Sequence, residues 1–384
     1  MSPRIVVVGG GIVGTAAAWQ LMALGHSDGV TVVERDFSLH AASTGRSTAG
    51  IRQQFSTPCN IRFSRYGLDF LRRMGLEKAG FRENGYLVLA GAEPAAERMR
   101  RAHTLQLAEG ADIELLEPAD LSQSFPHLNT DDVALASFGR TGEGWFDPLA
   151  VQAQMKAEAM AAGVVWREAD AMAYVRRGDR VTGVRLSDGS VLEADFAVNA
   201  AGARGAAMAA TADVSIPVEP RKRTAFAFTC EQSPAKRESL PLMIDSSLIW
   251  CRPEGPGFIA GRHPEPDPAV DPEDLEPRSL EFEEVIWPLL AARAPCFEAI
   301  RMIGLWAGHY AWCTHDQNAI IGPAPSCPNL ILANGFSGHG VQHGPATGLA
   351  VAEYILKGAS ETLDASEFSP ERLSVPVSAE THVW

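Results

Sequence analysis

The sequence comprises 384 residues with a formal net charge of −14, 46% of them hydrophobic and 21% charged. That is the balance of a globular protein with apolar mass for two domains, and it excludes a nucleic-acid surface, which needs a basic stripe. The six cysteines are scattered without a C-x-x-C pair. Neither a metal site nor a disulfide frame is therefore expected, and a cytoplasmic location is, with peripheral membrane association left open.

The chain opens on a short β-branched run, residues 5–8, that predicts a strand buried on both faces. Residues 9–14 then match G-x-G-x-x-G, with Ile12 and Val13 in the variable places. Gly9 allows a tight turn, Gly11 admits a pyrophosphate to the backbone, and Gly14 lets helix and strand pack closely. A small-residue helix over 15–24 offers free N–H groups and a positive dipole to the phosphates. A second strand, 30–33, leads to Glu34, twenty residues past Gly14, where a carboxylate can accept from a ribose. The uncharged run 5–25 is not read as a membrane span, because four glycines within six residues weaken such a helix. Nor does it read as a signal peptide, since it leads straight into a complete fingerprint. No later segment is apolar enough to span a bilayer.

A polar stretch, 43–55, comes next and holds Ser43, Thr44, Arg46, Ser47, Thr48 and Arg52. Its hydroxyls and arginines suit further cofactor contacts, and they suit equally a solvated loop capping a helix over 61–74. A strand over 85–90 and a helix over 94–109 follow. Another helix starts with Asp147 as N-cap and Pro148 at its first position, and stops near Gly163. Short strands over 164–166, 171–175, 181–186 and 191–194 read as one meander. Residues 195–203 read as a buried strand ending in small residues, which lets a ligand approach the backbone. Between 218 and 302, strands over 224–229, 248–252 and 258–261 alternate with a Pro- and acid-rich segment, 263–277, read as charged surface. Finally a strand at 330–334, a second glycine-rich turn at 335–340 and a helix over about 344–356 repeat the opening pattern. A nicotinamide enzyme has no obvious need of this return. A protein wrapping FAD does, because a second helix N-terminus stabilises negative charge at the N1–C2=O edge of the flavin.

On these residues the chain resembles the D-amino acid oxidase family of flavoproteins, in the branch of monomeric sarcosine oxidase, D-arginine dehydrogenase and glycine oxidase. The likeness is carried by VVVGGGIVG with Glu34, STGRS at 43–47, WFDP at 145–148, VNAAGA at 198–203, AIIGP at 319–323 and NGFSGHG at 334–340. It implies an α/β, Rossmann-like FAD-binding domain of the glutathione-reductase type, residues 1–84, 142–217 and 318–370. A mixed or antiparallel-sheet substrate domain, 85–141 and 218–317, would complete the fold, with a C-terminal tail over 371–384. FAD would be held by Gly9, Gly11, Ile12, Val13, Gly14, Glu34 and Arg35, and by Ser43, Thr44, Arg46, Ser47 and Thr48. Met172 would lie at the adenine, Ala201 and Gly202 at the pyrophosphate turn. Gly335, Ser337, Gly338, His339, Gly340, Val341 and Gln342 would gather at the flavin. The segment PRKRTAFAF at 220–228 is similar to D-arginine dehydrogenase.

Departures from the family bear on function. Gly308 stands where sarcosine oxidase anchors its flavin through a cysteine, and Cys313 has the wrong offset, so non-covalent FAD is expected. The lysine that assists oxygen there falls at about Ile259, and the lysine that binds substrate carboxylate becomes Gln342. The carboxylate-binding arginine of D-arginine dehydrogenase becomes Tyr310, and its active-site histidine becomes Gly50. Arg52 and His263 align with a carboxylate-binding arginine and an active-site histidine of sarcosine oxidase.

The resemblance implies oxidation of a C–N bond in a small amine or amino acid, by hydride transfer from the α-carbon to flavin N5, giving an imine that hydrolyses. Arg52 would clamp a carboxylate in a bidentate pair. Tyr310 would hydrogen-bond the substrate or simply pack; Trp250 would wall the pocket or belong to the core. Arg223 would face the pocket or form a structural ion pair, and His263 would tune amine protonation or be solvated. His343 is left unassigned. The missing lysine favours a dehydrogenase over an oxidase, with O2, a quinone or a protein as acceptor. Two other readings stay open: a flavin 2-hydroxy-acid dehydrogenase, and a flavoprotein subunit or assembly factor without small-molecule turnover.

Overall fold

The computed structural model describes residues 2–383. Its first sheet has six strands, in the order Ile320–Ala324, Cys327–Asn334, Phe196–Asn199, Ile5–Val8, Val30–Glu34 and Val165–Glu168. Neighbours run parallel except for the Ile320–Ala324 and Cys327–Asn334 hairpin. The opening strand lies at the centre, with all four residues buried. Period-two alternation explains why. Ile5 and Val7 pack with Ala17, Ala18, Leu21, Ala346 and Ala350 on the helical face. Val6 and Val8 pack with Tyr174, Val184 and Leu186 of an antiparallel meander on the other.

The helical face joins the two ends of the chain. The helix Ile12–Ala23 lies against Gly340–Lys357 through small residues. A Cβ at Gly348 would stand 2.5 Å from the carbonyl carbon of Ala16, so only glycine permits this approach.

The second sheet has eight strands, ordered Ile300–Cys313, Val218–Cys230, Gly257–Arg262, Ile249–Glu254, Leu242–Ile244, Tyr86–Ala90, Leu135–Gly139 and Ile113–Leu116. It is antiparallel except where Leu242–Ile244 meets Tyr86–Ala90. Its core gathers Leu87, Phe226, Phe228, Ile249, Phe258, Phe282, Ile286 and Phe297.

Four sequence expectations change. Residues 164–166 do not join the meander; Val165–Glu168 enters the six-stranded sheet, parallel to Val30–Glu34. The helix Pro148–Ala161 supplies the crossover that a parallel pair requires, and Gly163, at φ +105°, turns the chain back to the sheet edge. The final helix starts at Gly340, four residues early, and carries Pro345 inside it. The acid-rich segment 263–277 is not merely solvated. It folds back on the basic strand 220–223: Arg223 grips Asp267 through both terminal nitrogens at 2.6 and 2.9 Å, and Lys222 meets Asp274 at 2.7 Å. Finally, residues 371–383 are no free tail. Arg372 pairs with Asp316 at 2.7 and 2.9 Å, and Glu380 is fully buried.

Candidate active site

One cavity of about 710 Å³ is lined by residues of both sheets. Both glycine-rich turns reach it: Gly9 and Gly11 from the first, Gly338 and Gly340 from the second. Gly9 adopts φ +105°, and a Cβ there would stand 2.3 Å from the Ala200 carbonyl oxygen. Gly14 lies behind the cavity, where a Cβ would meet the Gly9 carbonyl oxygen at 1.9 Å; its role is close packing of helix on strand. Ile12 and Val13 begin the helix and line the wall.

The end of the second strand presents Glu34. One carboxylate oxygen accepts from the Gly10 amide at 2.7 Å and the other from Asp36 at 3.2 Å, which fixes the group at the rim. Arg35 beside it bonds Glu273 at 3.1 Å, and Arg204 holds the same carboxylate at 2.8 Å. The acid-rich segment thus crosses this mouth of the cavity. Met172, Ala201 and Gly202 line the same end, and Met172 is largely exposed.

The stretch after Glu34, half read as a solvated loop, forms a short helix, Ser43–Arg46, pinned to the second sheet. Ser43 Oγ donates to the His309 carbonyl at 2.8 Å, and Arg46 donates to the carbonyls of Ala307 and His40 at 3.1 and 2.7 Å. Thr44 Oγ1 accepts from the Ile12 amide at 3.0 Å, capping the first helix. Ser47 and Thr48 complete this wall.

At the second turn, Gly338 has φ +99°, and a Cβ there would lie 2.6 Å from the Tyr310 ring. His339, Val341 and Gln342 line the cavity; Gly335 and Ser337 do not. These two brace the turn from behind, Gly335 against Val218 and Cys313, Ser337 by accepting from the Cys313 amide at 3.0 Å. His339 and His343 are buried and neutral. Burial, assisted by the charge of Arg52, holds both well below the ordinary imidazole range, His343 at about 3.

The remaining wall holds the substrate candidates. Arg52 is buried, its guanidinium 3.9 Å above the Phe55 ring. It donates to the carbonyls of Gln54 and, at 2.6 Å, His382, while its amide donates to Gln342 Oε1 at 2.8 Å. Burial lowers its pKa from the ordinary value, and the fields of Tyr86, Glu380 and Glu143 oppose that. Tyr310 and Trp250 both line the cavity, and burial pushes the Tyr310 phenol up. Arg223 reaches the wall with its fork already committed to Asp267, 4.7 Å over the Tyr310 ring. His263 lies off the cavity, 3.4 Å from Asp267 and edge-on to Trp312.

Sequence reading missed Tyr86, Leu242, Ile244 and Glu143. The first three line the cavity, and the Tyr86 hydroxyl fills the space a Cβ at Gly50 would need, 1.7 Å away. Glu143 does not line the cavity; fully buried, it accepts from the Gln53 backbone amide and from Gln54 Nε2, its carboxyl pushed up to about 7 by burial. Each reads as an ordinary strand or turn residue, so no local signal could have found them. The geometry amounts to one cavity whose wall brings together the first glycine turn, the N-terminus of a second helix and a buried arginine. No group of three or more metal-ligating side chains occurs among the described residues.

A family model described as DAO, FAD dependent oxidoreductase, matches residues 4–354. FAD-dependent oxidoreductase domain-containing protein 1 of Bos taurus is 36% identical over 421 aligned positions, covering 98% of this chain and 86% of that protein. Mitochondrial sarcosine dehydrogenase of Homo sapiens is 23% identical over 93% of this chain and 40% of its own length. The crystal structure of L-proline dehydrogenase from P. horikoshii superposes with a TM-score of 0.86 at 28% identity, covering 97% of this chain and 98% of that one. Glycine oxidase from Geobacillus kaustophilus shares the fold, with a TM-score of 0.80 at 19% identity over 96% of this chain and 98% of that one.

Proposed function

Since this chain belongs to the DAO family of FAD-dependent oxidoreductases and its cofactor is FAD, we propose that it oxidises the C–N bond of a small amine or amino acid. This reading is carried by the two glycine turns lining one cavity whose wall also holds the buried Arg52. When bound, FAD supplies the hydride acceptor. The residues fit it: the backbone of Gly11 and Val13 at the start of the first helix, beside the Ile12 amide that Thr44 caps, would meet the pyrophosphate, and Glu34 would accept the ribose hydroxyls. The amides opening the helix Gly340–Lys357 would face the pyrimidine edge, and their positive end favours charge there on reduction. Cys313 stays behind the second turn with its thiol donating to Asp316, which supports non-covalent attachment.

Arg52 would hold a substrate carboxylate, with the Tyr310 and Tyr86 hydroxyls beside it and Leu242, Ile244 and Trp250 walling the side chain. The carboxylate fixes the α-carbon, and the apolar wall excludes water from it. Ile259 is buried within the second sheet, so no lysine serves oxygen at that position; this supports a dehydrogenase.

The test is an anaerobic screen of D- and N-methyl amino acids against the FAD-loaded protein, following loss of flavin absorbance. Bleaching by one of these, with an imine-derived carbonyl product, is the expected result. Bleaching by 2-hydroxy acids alone would replace the C–N assignment with a C–O one. Bound FAD that no small substrate bleaches would leave a subunit or assembly role.

A further inference from the structure

The end of the chain closes on the arginine that lines the cavity. Glu380 is fully buried, although the residues on either side of it are exposed. Its carboxylate accepts from the Ser56 amide at 2.9 and 3.1 Å, Ser56 Oγ at 2.5 Å, the Thr57 amide at 2.9 Å and Asn60 Nδ2 at 2.9 Å. It also accepts from the His382 amide at 2.8 Å. These donors surround the start of the helix Pro58–Met74, whose N-cap, Thr57, makes no side-chain capping bond. A carboxylate supplied from the far end of the sequence therefore does the capping, at the positive end of the helix. The segment is held further back by the Arg372–Asp316 pair and by the Glu380 amide donating to the Asp316 carbonyl at 2.9 Å. Two residues past Glu380, the His382 carbonyl receives Arg52 Nη2 at 2.6 Å.

We propose that Glu380 is a positioning residue for the substrate anchor: by docking the C-terminal segment it sets the His382 carbonyl that orients the Arg52 guanidinium in the cavity wall. A neutral carbonyl fixes a guanidinium fork without cancelling its charge, which is what recognition of a carboxylate requires. The Gln54 carbonyl holds the other terminal nitrogen and the Phe55 ring supports the plane, and the His382 carbonyl adds a contact from outside this loop. The inference rests on the reading of Arg52 as the carboxylate anchor.

The test titrates FAD-loaded protein with benzoate and with its uncharged counterpart benzamide, reading the perturbation of the flavin absorption band. In Glu380→Gln, benzoate half-saturation rises about tenfold while benzamide stays within about twofold. A purely structural role would weaken both probes alike, and that outcome, or no change in either, overturns the proposal. Asn60→Ala removes one donor to Glu380 and shifts benzoate in the same direction by a smaller factor; it carries the test if Glu380→Gln does not retain FAD. Arg52→Lys separates the two claims. If it leaves benzoate binding unchanged, or if benzoate perturbs no flavin band in the parent protein, the anchor reading fails and the proposal with it. If Arg52→Lys weakens benzoate and neither Glu380→Gln nor Asn60→Ala does, the positioning role of Glu380 alone fails.

Discussion

At the scale of single residues, the cavity wall at Gly50 is set by a neighbour that has taken the space. The Tyr86 hydroxyl occupies the place of any side chain at Gly50, 1.7 Å from where a Cβ would stand. Gly50→Ala is expected to lower stability by about 1–3 kcal/mol, with part recovered in the Gly50→Ala, Tyr86→Phe double variant; thermal melts of the FAD-loaded proteins check it. Glu143 gives a pH prediction. Its carboxyl is raised from 4.5 to about 7 by burial, so between those values the folded state binds the extra proton and this residue's contribution falls as pH rises. Above about pH 7 the loss is complete. Against the parent, Glu143→Gln should therefore gain relative stability across that window, by roughly 1–3 kcal/mol. His343, held at about 3, acts in the opposite sense and is common to both proteins, so the difference isolates Glu143. A difference that does not vary between pH 4.5 and 7 would show the carboxyl to be ordinary.

At the scale of elements, loops that read as surface help to build the cavity. The acid-rich segment brings Glu273 between Arg35 and Arg204 at the mouth of the cavity. Glu273 is itself about half exposed, which limits what each pair contributes to less than about 1 kcal/mol. Glu273→Gln should accordingly release FAD only about two- to fivefold faster, and raised salt should remove the difference from the parent. Dilution of loaded protein, followed by the fluorescence of freed FAD, measures this. The short helix Ser43–Arg46 shows the same principle: three of its side-chain donors go to backbone carbonyls of the other sheet or of the preceding loop, contacts that no spacing within 43–47 contains.

At the scale of the whole molecule, the two glycine turns are brought to one cavity by the contact of the helices Ile12–Ala23 and Gly340–Lys357. Gly348 permits that contact. Gly348→Val would force the helix Gly340–Lys357 away from Ile12–Ala23 and separate the phosphate turn from the flavin turn. An order-of-magnitude loss of about 1–3 kcal/mol in stability is expected, with weaker FAD binding, measured by melting and by FAD titration of stripped protein. Retained affinity in this variant would mean that the two turns tolerate independent movement. Among the described residues no helix is long and apolar enough to cross a membrane. The uncharged run that could have suggested one is instead divided among a central strand, a turn and a helix.

Local chemistry was enough to bring Gly9, Gly11 and Glu34 to one cavity, with Gly14 packed behind it. Gly9, Gly11, Gly14 and Glu34 act through backbone freedom and through spacing within one βαβ unit, and both are written in consecutive residues. The recurrence at 334–340 likewise announced a second turn, since a strand, glycines and an apolar helix are local features. Local chemistry did not reveal that Val165–Glu168 would join the first sheet, since a parallel partner is chosen across a long excursion. Nor did it reveal that the acids of 263–277 would meet the cations of 220–223, or that Glu380 would cap a helix more than 300 residues earlier. Tyr86, Glu143 and the His382 carbonyl acquire their roles only where separate strands and a returning segment converge. Burial and proximity across the chain, which create those roles, are properties of the folded packing and leave no trace in the order of neighbours.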